Sequence, residues 1–233
     1  MLALLPPAAA NAARARRATP VKCAPSSSRV LFTDPLAEVY AAQNGEVLNI
    51  RACANGRRGS FFIASCNRRE SAAACADVPR VTLAGPVVAY EEFFTTANRY
   101  TLEGEAVTAS LRVIVRDLRT GRVLHDVPTG TPPKPKPGSV GVGNIVALVL
   151  ESDGSVAWIA KDTERSAAAK APYFDVYATD KSGTRLLASG TNIDPSSLAL
   201  SVGATHLGYY PDAIAGSTLY WTQGGQSFST MLN

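Results

Sequence analysis

The stretch Ile145-Val-Ala-Leu-Val-Leu150, followed by Asp153-Gly154 and then Ser155-Val-Ala-Trp-Ile-Ala-Lys161, decides the fold class. The first run is apolar without a break, as suits a strand buried on both faces. Asp-Gly between two apolar runs is among the strongest short-range hairpin signals, because glycine takes the positive φ that the turn needs. The same arrangement returns at Thr218-Leu-Tyr-Trp-Thr222, Gly224-Gly225 and Ser227 to Leu232, and Trp158 and Trp221 read as equivalent core positions of two hairpin strands.

A second hairpin type recurs three times. It runs Val47 to Arg58 around Asn55-Gly56, Leu111 to Leu124 around Thr120-Gly121, and Phe174 to Leu187 around Ser182-Gly183. In the second copy Leu111, Val113 and Val115 share one face, and Arg112 and Arg116 share the other. In the third, Phe174, Val176 and Ala178 lie opposite Tyr173, Asp175 and Tyr177. Period-two alternation of this kind marks a half-buried strand. Val39 to Gln43, Asn44-Gly45 and Glu46 to Cys53 supply a further hairpin. Asp34-Pro35 offers a rival helix start, but the Asn44-Gly45 turn ties this run directly to the next strand and favours β-structure.

Grouping the hairpins predicts an all-β chain of repeated four-stranded antiparallel units at 29–66, 80–128 and 140–190, with a partial unit of two clear strands at 198–232. Such units suit a complete or partial β-propeller, which closes with about four blades or more; paired β-sandwiches are the alternative. Arg29 to Thr33 is expected to complete the last unit by swapping across the ring, unless blades lie upstream. Residues 1–28 form a separate signal-like, basic N-terminal segment, and 29–233 the propeller-like domain.

The chain has 233 residues, 46% of them hydrophobic and 18% charged, which argues against disorder and against a coiled coil. Its net charge of +4 comes from Arg14, Arg16, Arg17 and Lys22, ahead of the first acidic residue, Asp34. The near-neutral body lacks the basic field that nucleic-acid binding uses. Met1 to Ala13 reads as an apolar run ending in small residues around Ala10-Asn11-Ala12, without a preceding Lys or Arg; this predicts export. No apolar run is long enough for a membrane span.

Four cysteines, Cys23, Cys53, Cys66 and Cys75, are disulfide candidates in an exported chain. Their spacing does not match zinc sites. Cys53–Cys75 and Cys66–Cys75 are the favoured pairings. The Pro-rich stretch Gly130 to Gly138 reads as a stiff extended connector.

Catalytic residue sets are sparse. His125 neighbours Asp126 on a strand-like run, where the two side chains point to opposite faces, and no Gly-x-Ser-x-Gly elbow accompanies His125 or His206. Glu91-Glu92 and the pair Glu103 and Glu105 are the carboxylates to consider for glycosidase chemistry; solvated strand edges are the simpler reading. Phe93-Phe94, Tyr209-Tyr210-Pro211 and Tyr220-Trp221 are aromatic groups suited to inter-blade core or to a contact rim. No catalytic, cofactor or metal residues are assigned, and no cofactor is expected.

With its three turn-bearing repeats, Asp153-Gly154 ahead of Trp158, and Leu219-Tyr-Trp-Thr-Gln-Gly-Gly225, residues 29–232 resemble secreted bacterial β-propeller proteins of the TolB-like type. The resemblance implies a bacterial extracytoplasmic, non-enzymatic protein that binds a protein or small ligand across a propeller face. The competing expectations are a hydrolase or lyase with acidic residues converging in a central channel, and a truncated structural propeller fragment.

Overall fold

A computed structural model describes residues 21–67, 80–97, 107–130, 143–201 and 217–233. They form four separate antiparallel sheets. Sheet A holds β1 (Arg29–Asp34), β2 (Ala37–Asn44), β3 (Val47–Ala54) and β4 (Phe61–Asn67). Sheet B holds β5 (Val81–Ala84), β6 (Val87–Ala97), β7 (Val107–Asp117) and β8 (Val123–Pro128). Sheet C holds β9 (Asn144–Leu150), β10 (Val156–Lys161), β11 (Phe174–Asp180) and β12 (Gly183–Gly190). Sheet D has three strands, β13 (Ala199–Ser201), β14 (Ser217–Gln223) and β15 (Gln226–Leu232). Every sheet runs in chain order, so each strand pairs with its sequence neighbour. The predicted all-β class and the grouping into units hold, with three strands rather than two in the last.

Two local expectations are corrected. Arg29 to Thr33 does not swap into the last unit: β1 pairs with β2, from Arg29 opposite Ala41 to Asp34 opposite Ala37. Only Pro35 and Leu36 separate the two strands, and the Asp34 carboxylate accepts the Leu36 N–H at 2.9 Å to close the turn. A hairpin this short forms at far lower entropic cost than a pairing across the molecule. The second correction is a helix, α1 (Thr163–Ala169), between β10 and β11. Asp162 caps it by accepting the Arg165 N–H, Glu164 lies in its first turn, and Lys170 ends it at φ 54°. The rival helix after Asp34-Pro35 is absent, since Ala37–Asn44 is β2.

The sheets pack face to face in series through three apolar clusters. Val39, Ile50 and Ala52 of sheet A meet Val88, Tyr90 and Ile114 of sheet B. Val113 and Val115, on the other face of β7, meet Trp158 and Tyr177 of sheet C. Val176 and Ala178, on the other face of β11, meet Leu219 and Trp221 of sheet D. The half-buried expectation for β7 and β11 is thereby corrected: each strand meets a neighbouring sheet on both faces, and every residue of β11 is buried. Burying each such aliphatic side chain contributes roughly 1.5–3 kcal/mol. Ile145–Leu150 sends side chains into both the second and the third cluster, as a two-faced strand must.

The turns joining first to second strands in sheets A, B and C lie side by side. Gly85 N–H donates to Asp34 Oδ2 at 3.2 Å, and a Cβ on Gly85 would lie 3.5 Å from Ser152. Gly154, at φ +98°, packs so closely on Leu124 that a Cβ there would come within 2.7 Å of its Cδ1. Lys181 N–H donates to Asn233 O at 3.2 Å, which ties β15 to the sheet C turn.

Candidate interaction face of the first sheet

Sheet B and sheet C each have neighbours on both faces, whereas sheet A has a face turned away from sheet B. Register defines what lies on it. Tyr40 is opposite Val30 on one side and Arg51 on the other, and Arg51 is opposite Phe62. Directly opposed residues project to one side of a sheet. Val30, Tyr40, Arg51 and Phe62 therefore form a row across all four strands. Tyr40 is buried, while Val30 is 43% and Phe62 52% exposed. Arg51 is held by the β3–β4 connection: its Nε donates to Ser60 Oγ at 2.7 Å and its Nη2 to Ser60 O at 3.2 Å.

The adjacent row on the same face, Glu38 opposite Cys53, lies under the segment Val21–Ser28. Cys23 is disulfide-bonded to Cys53, Ala24 N–H donates to Glu38 Oε2 at 3.1 Å, and Lys22 Nζ donates to Glu38 Oε1 at 2.9 Å. Gly56 N–H donates to Val21 O at 2.8 Å. This strap covers the Glu38/Cys53 row and leaves the aromatic row beside it in contact with solvent at both ends.

Cys23–Cys53 replaces the expected Cys53–Cys75 pairing. The reason is topological: Cys53 projects from sheet A on the side away from sheet B, and the strap crosses that side. Cys66, on β4, is also disulfide-bonded and no described cysteine is free; Cys75, and with it the Cys66–Cys75 expectation, lies outside the described residues.

The candidate catalytic groups do not converge. Glu91 and Glu92 project to opposite faces of β6. Glu91 accepts the Ile145 N–H at 3.1 Å on the sheet C side, and burial pushes its carboxyl above the ordinary range. Glu92 lies opposite Arg112, on the sheet A side, where burial and the neighbouring Asp126 push its carboxyl up. Arg112 itself pairs with Asp126. His125 is on β8 opposite Val115, with burial lowering its pKa. Glu103, Glu105, His206, Tyr209, Tyr210, Pro211 and the proline-rich stretch from 131 onward lie outside the described residues, as do residues 1–20. Among the described residues no group of His, Cys, Asp and Glu is placed to hold a metal ion, and no helix is long and apolar enough to cross a membrane.

The aromatic expectations divide by face. Trp158 is fully buried, stacks on Tyr177 at 5.4 Å between ring centroids and donates Nε1–H to Thr129 O at 2.7 Å. Trp221 is buried on the second strand of its own sheet, as Trp158 is, and stacks on Phe228 at 5.8 Å. Tyr220, its neighbour, points the other way and is 40% exposed, and Phe93 is 59% exposed. Sequence reasoning missed the Val30–Tyr40–Arg51–Phe62 row. Its strands were legible, but its residues meet only through the register of three strand pairs, two of them bulged, at Val30/Phe32 and at Ile50/Arg51.

No family model, no curated protein and no solved structure matches the chain.

Proposed function

We propose that the chain is a non-enzymatic, extracytoplasmic binding protein of bacterial type, with an array of propeller-like blades whose first sheet is the contact surface for a protein partner. The observation that carries the reading is the Val30–Tyr40–Arg51–Phe62 row. Tyr, Phe and Arg beside a rigid support are the side chains that dominate protein contact surfaces. Nine of the twelve exposed large hydrophobic side chains described lie on sheet A with its strap or on sheet D, the two ends of the series. Four sheets in chain order, packed in series, support the resemblance to TolB-like propellers. The Cys23–Cys53 bond supports an oxidising compartment.

The test is site-specific photo-cross-linking in a bacterial host that exports the full chain, with the photoreactive residue at Phe62 and, as control, at Val123 on sheet B. A discrete protein adduct at 62, absent at 123 and lost when Arg51→Ala is added, is the expected result. Equal labelling at both positions, or none at 62, overturns the reading.

A further inference from the structure

Among the described residues sheet D has three strands, and its pairing pattern shows where a fourth would join. In sheets A, B and C the second and third strands pair in unbroken register, and the fourth joins through a bulge: at Ile50/Arg51, at Val115/Arg116 and at Val176/Tyr177. The β14–β15 ladder is unbroken from Gln223 opposite Gln226 to Ser217 opposite Leu232. It has the character of a second-to-third pairing, so β15 stands where the other sheets go on to a fourth strand. From the two-residue Gly224-Gly225 turn, hydrogen-bonded pairs alternate along the hairpin. The backbone groups of Ser227, Ser229 and Met231 consequently point away from β14. Arg185 Nη2 reaches across from β12 to Met231 O at 3.0 Å, so one of those edge carbonyls accepts from a side chain of sheet C.

Exposed edges are normally blunted by charge, proline or a bulge. The fourth strands of sheets A, B and C are bulged, and β8 and β12 add Asp126, Pro128 and Arg185. Gln-Ser-Phe-Ser-Thr-Met-Leu has no charge, no proline and no bulge. Nothing on it opposes pairing with its own copy.

We infer that β15 pairs antiparallel with β15 of a second copy of this chain, about a twofold axis at Ser229. In that register the outward backbone groups of Ser229 meet those of its counterpart, and Ser227 meets Met231 of the other copy. Met231 O has a second lone pair and keeps Arg185. Phe228, 40% exposed, comes opposite Thr230 of the other copy, an aromatic and β-branched cross-strand pair. The interface is isologous and closes at two copies. It uses the opposite end of the series from the sheet A row and does not depend on the function proposed for that row.

Sedimentation of the full chain across a wide concentration range tests it. The expected particle has twice the chain mass and dissociates on dilution. Ser229→Pro removes an N–H that bonds nothing among the described residues, so the variant is expected at the single-chain mass with the melting curve of the diluted, dissociated wild type. A wild-type chain that stays single throughout, or a folded Ser229→Pro that stays double, overturns the inference. A second measurement covers misfolding of that variant. The Cα atoms of a residue pair on the axis are about 5.5 Å apart, within disulfide range, so Ser229→Cys is expected to cross-link on mild oxidation and Thr230→Cys is not. Cross-linking at 230 alone, or at neither position, overturns it as well.

Discussion

Glu38 and Lys22 form an ion pair of 2.9 Å in which the carboxylate side chain is 0% and the ammonium side chain 70% exposed. Burial works to raise the Glu38 carboxyl, but the Lys22 hydrogen bond, the Ala24 N–H and the Lys22 charge together outweigh it and hold the carboxyl below its ordinary value. A group whose folded pKa is depressed contributes stability that is complete above the unfolded pKa, near 4.3 for Glu, and is lost as pH falls through the folded value. The strap is therefore expected to loosen on acidification below about pH 4. Asp162 and Asp180 are also held low, so the wild-type slope alone does not isolate Glu38. Glu38→Gln does: it costs about 2 kcal/mol at pH 7, the scale of charged hydrogen bonds, and its deficit against wild type shrinks at pH 3. Urea midpoints of both chains at the two pH values measure this; a deficit that is constant with pH refutes it.

The same strap predicts a large effect of reduction. Cys23 and Cys53 are 30 residues apart, and closing a loop of that length stabilises by roughly 3–4 kcal/mol in the chain-entropy model. Cys23→Ala/Cys53→Ala is expected to lower the melting temperature by about 6–16 °C at the usual scaling for this size. It is also expected to open Val21–Ser28 to limited proteolysis while the rest of the chain stays intact. Cleavage spread evenly over all four sheets would show that the bond supports the whole array rather than one face.

Much of the fold was legible because the deciding signals are local. Asp153-Gly154 fixed a hairpin, and period-two alternation marked β7 and β11 as strands but only as half-buried ones, because the sheet that covers the second face is brought there by packing between units and leaves no local signal. Helix α1 was not read, though Asp162 followed by Thr-Glu-Arg-Ser-Ala-Ala-Ala carries an N-cap and good helix formers; seven residues between two strong strands leave little periodic signal. The disulfide was misread because spacing along the chain favoured cysteines near one another, while the bond depends on which face of β3 carries Cys53 and which segment crosses it. The contact row was beyond sequence for a related reason: Val30, Tyr40, Arg51 and Phe62 share no motif and become neighbours only through register.

The two tryptophans occupy matching strands but differ in their polar atoms. Trp158 Nε1 donates to Thr129 O, and Thr129 is itself buried. Trp221 Nε1 is buried without a hydrogen-bond partner among the described residues. Trp→Phe removes similar volume at each site, but only at 158 does it leave a buried carbonyl unpaired, which costs about 1–3 kcal/mol more. Trp158→Phe is accordingly expected to be the more destabilising by that margin in chemical denaturation. Equal losses would mean that the indole N–H contributes nothing at 158.

Arg165 gathers the polar end of sheet C. It donates to Asp162 Oδ2 at 2.8 Å and to Ser189 Oγ at 2.9 Å, pairs with the buried Asp175, and lies 4.5 Å over the Tyr173 ring. Asp175 is 2% exposed, so its charge depends on these partners. Truncating one member of a buried pair costs several kcal/mol when the other is left alone. Here Ser189 and Tyr177 also donate to Asp175, and Arg165 is partly exposed, so Arg165→Ala is expected to cost nearer 2 kcal/mol. Asp175→Asn removes the charge that Arg165 answers. The double variant should therefore lose about 1–2 kcal/mol less than the sum of the single variants, as coupled neighbours do. A double-mutant cycle by denaturant unfolding measures the coupling, and strict additivity would place the stability of α1 in its Asp162 cap rather than in the Arg165–Asp175 pair.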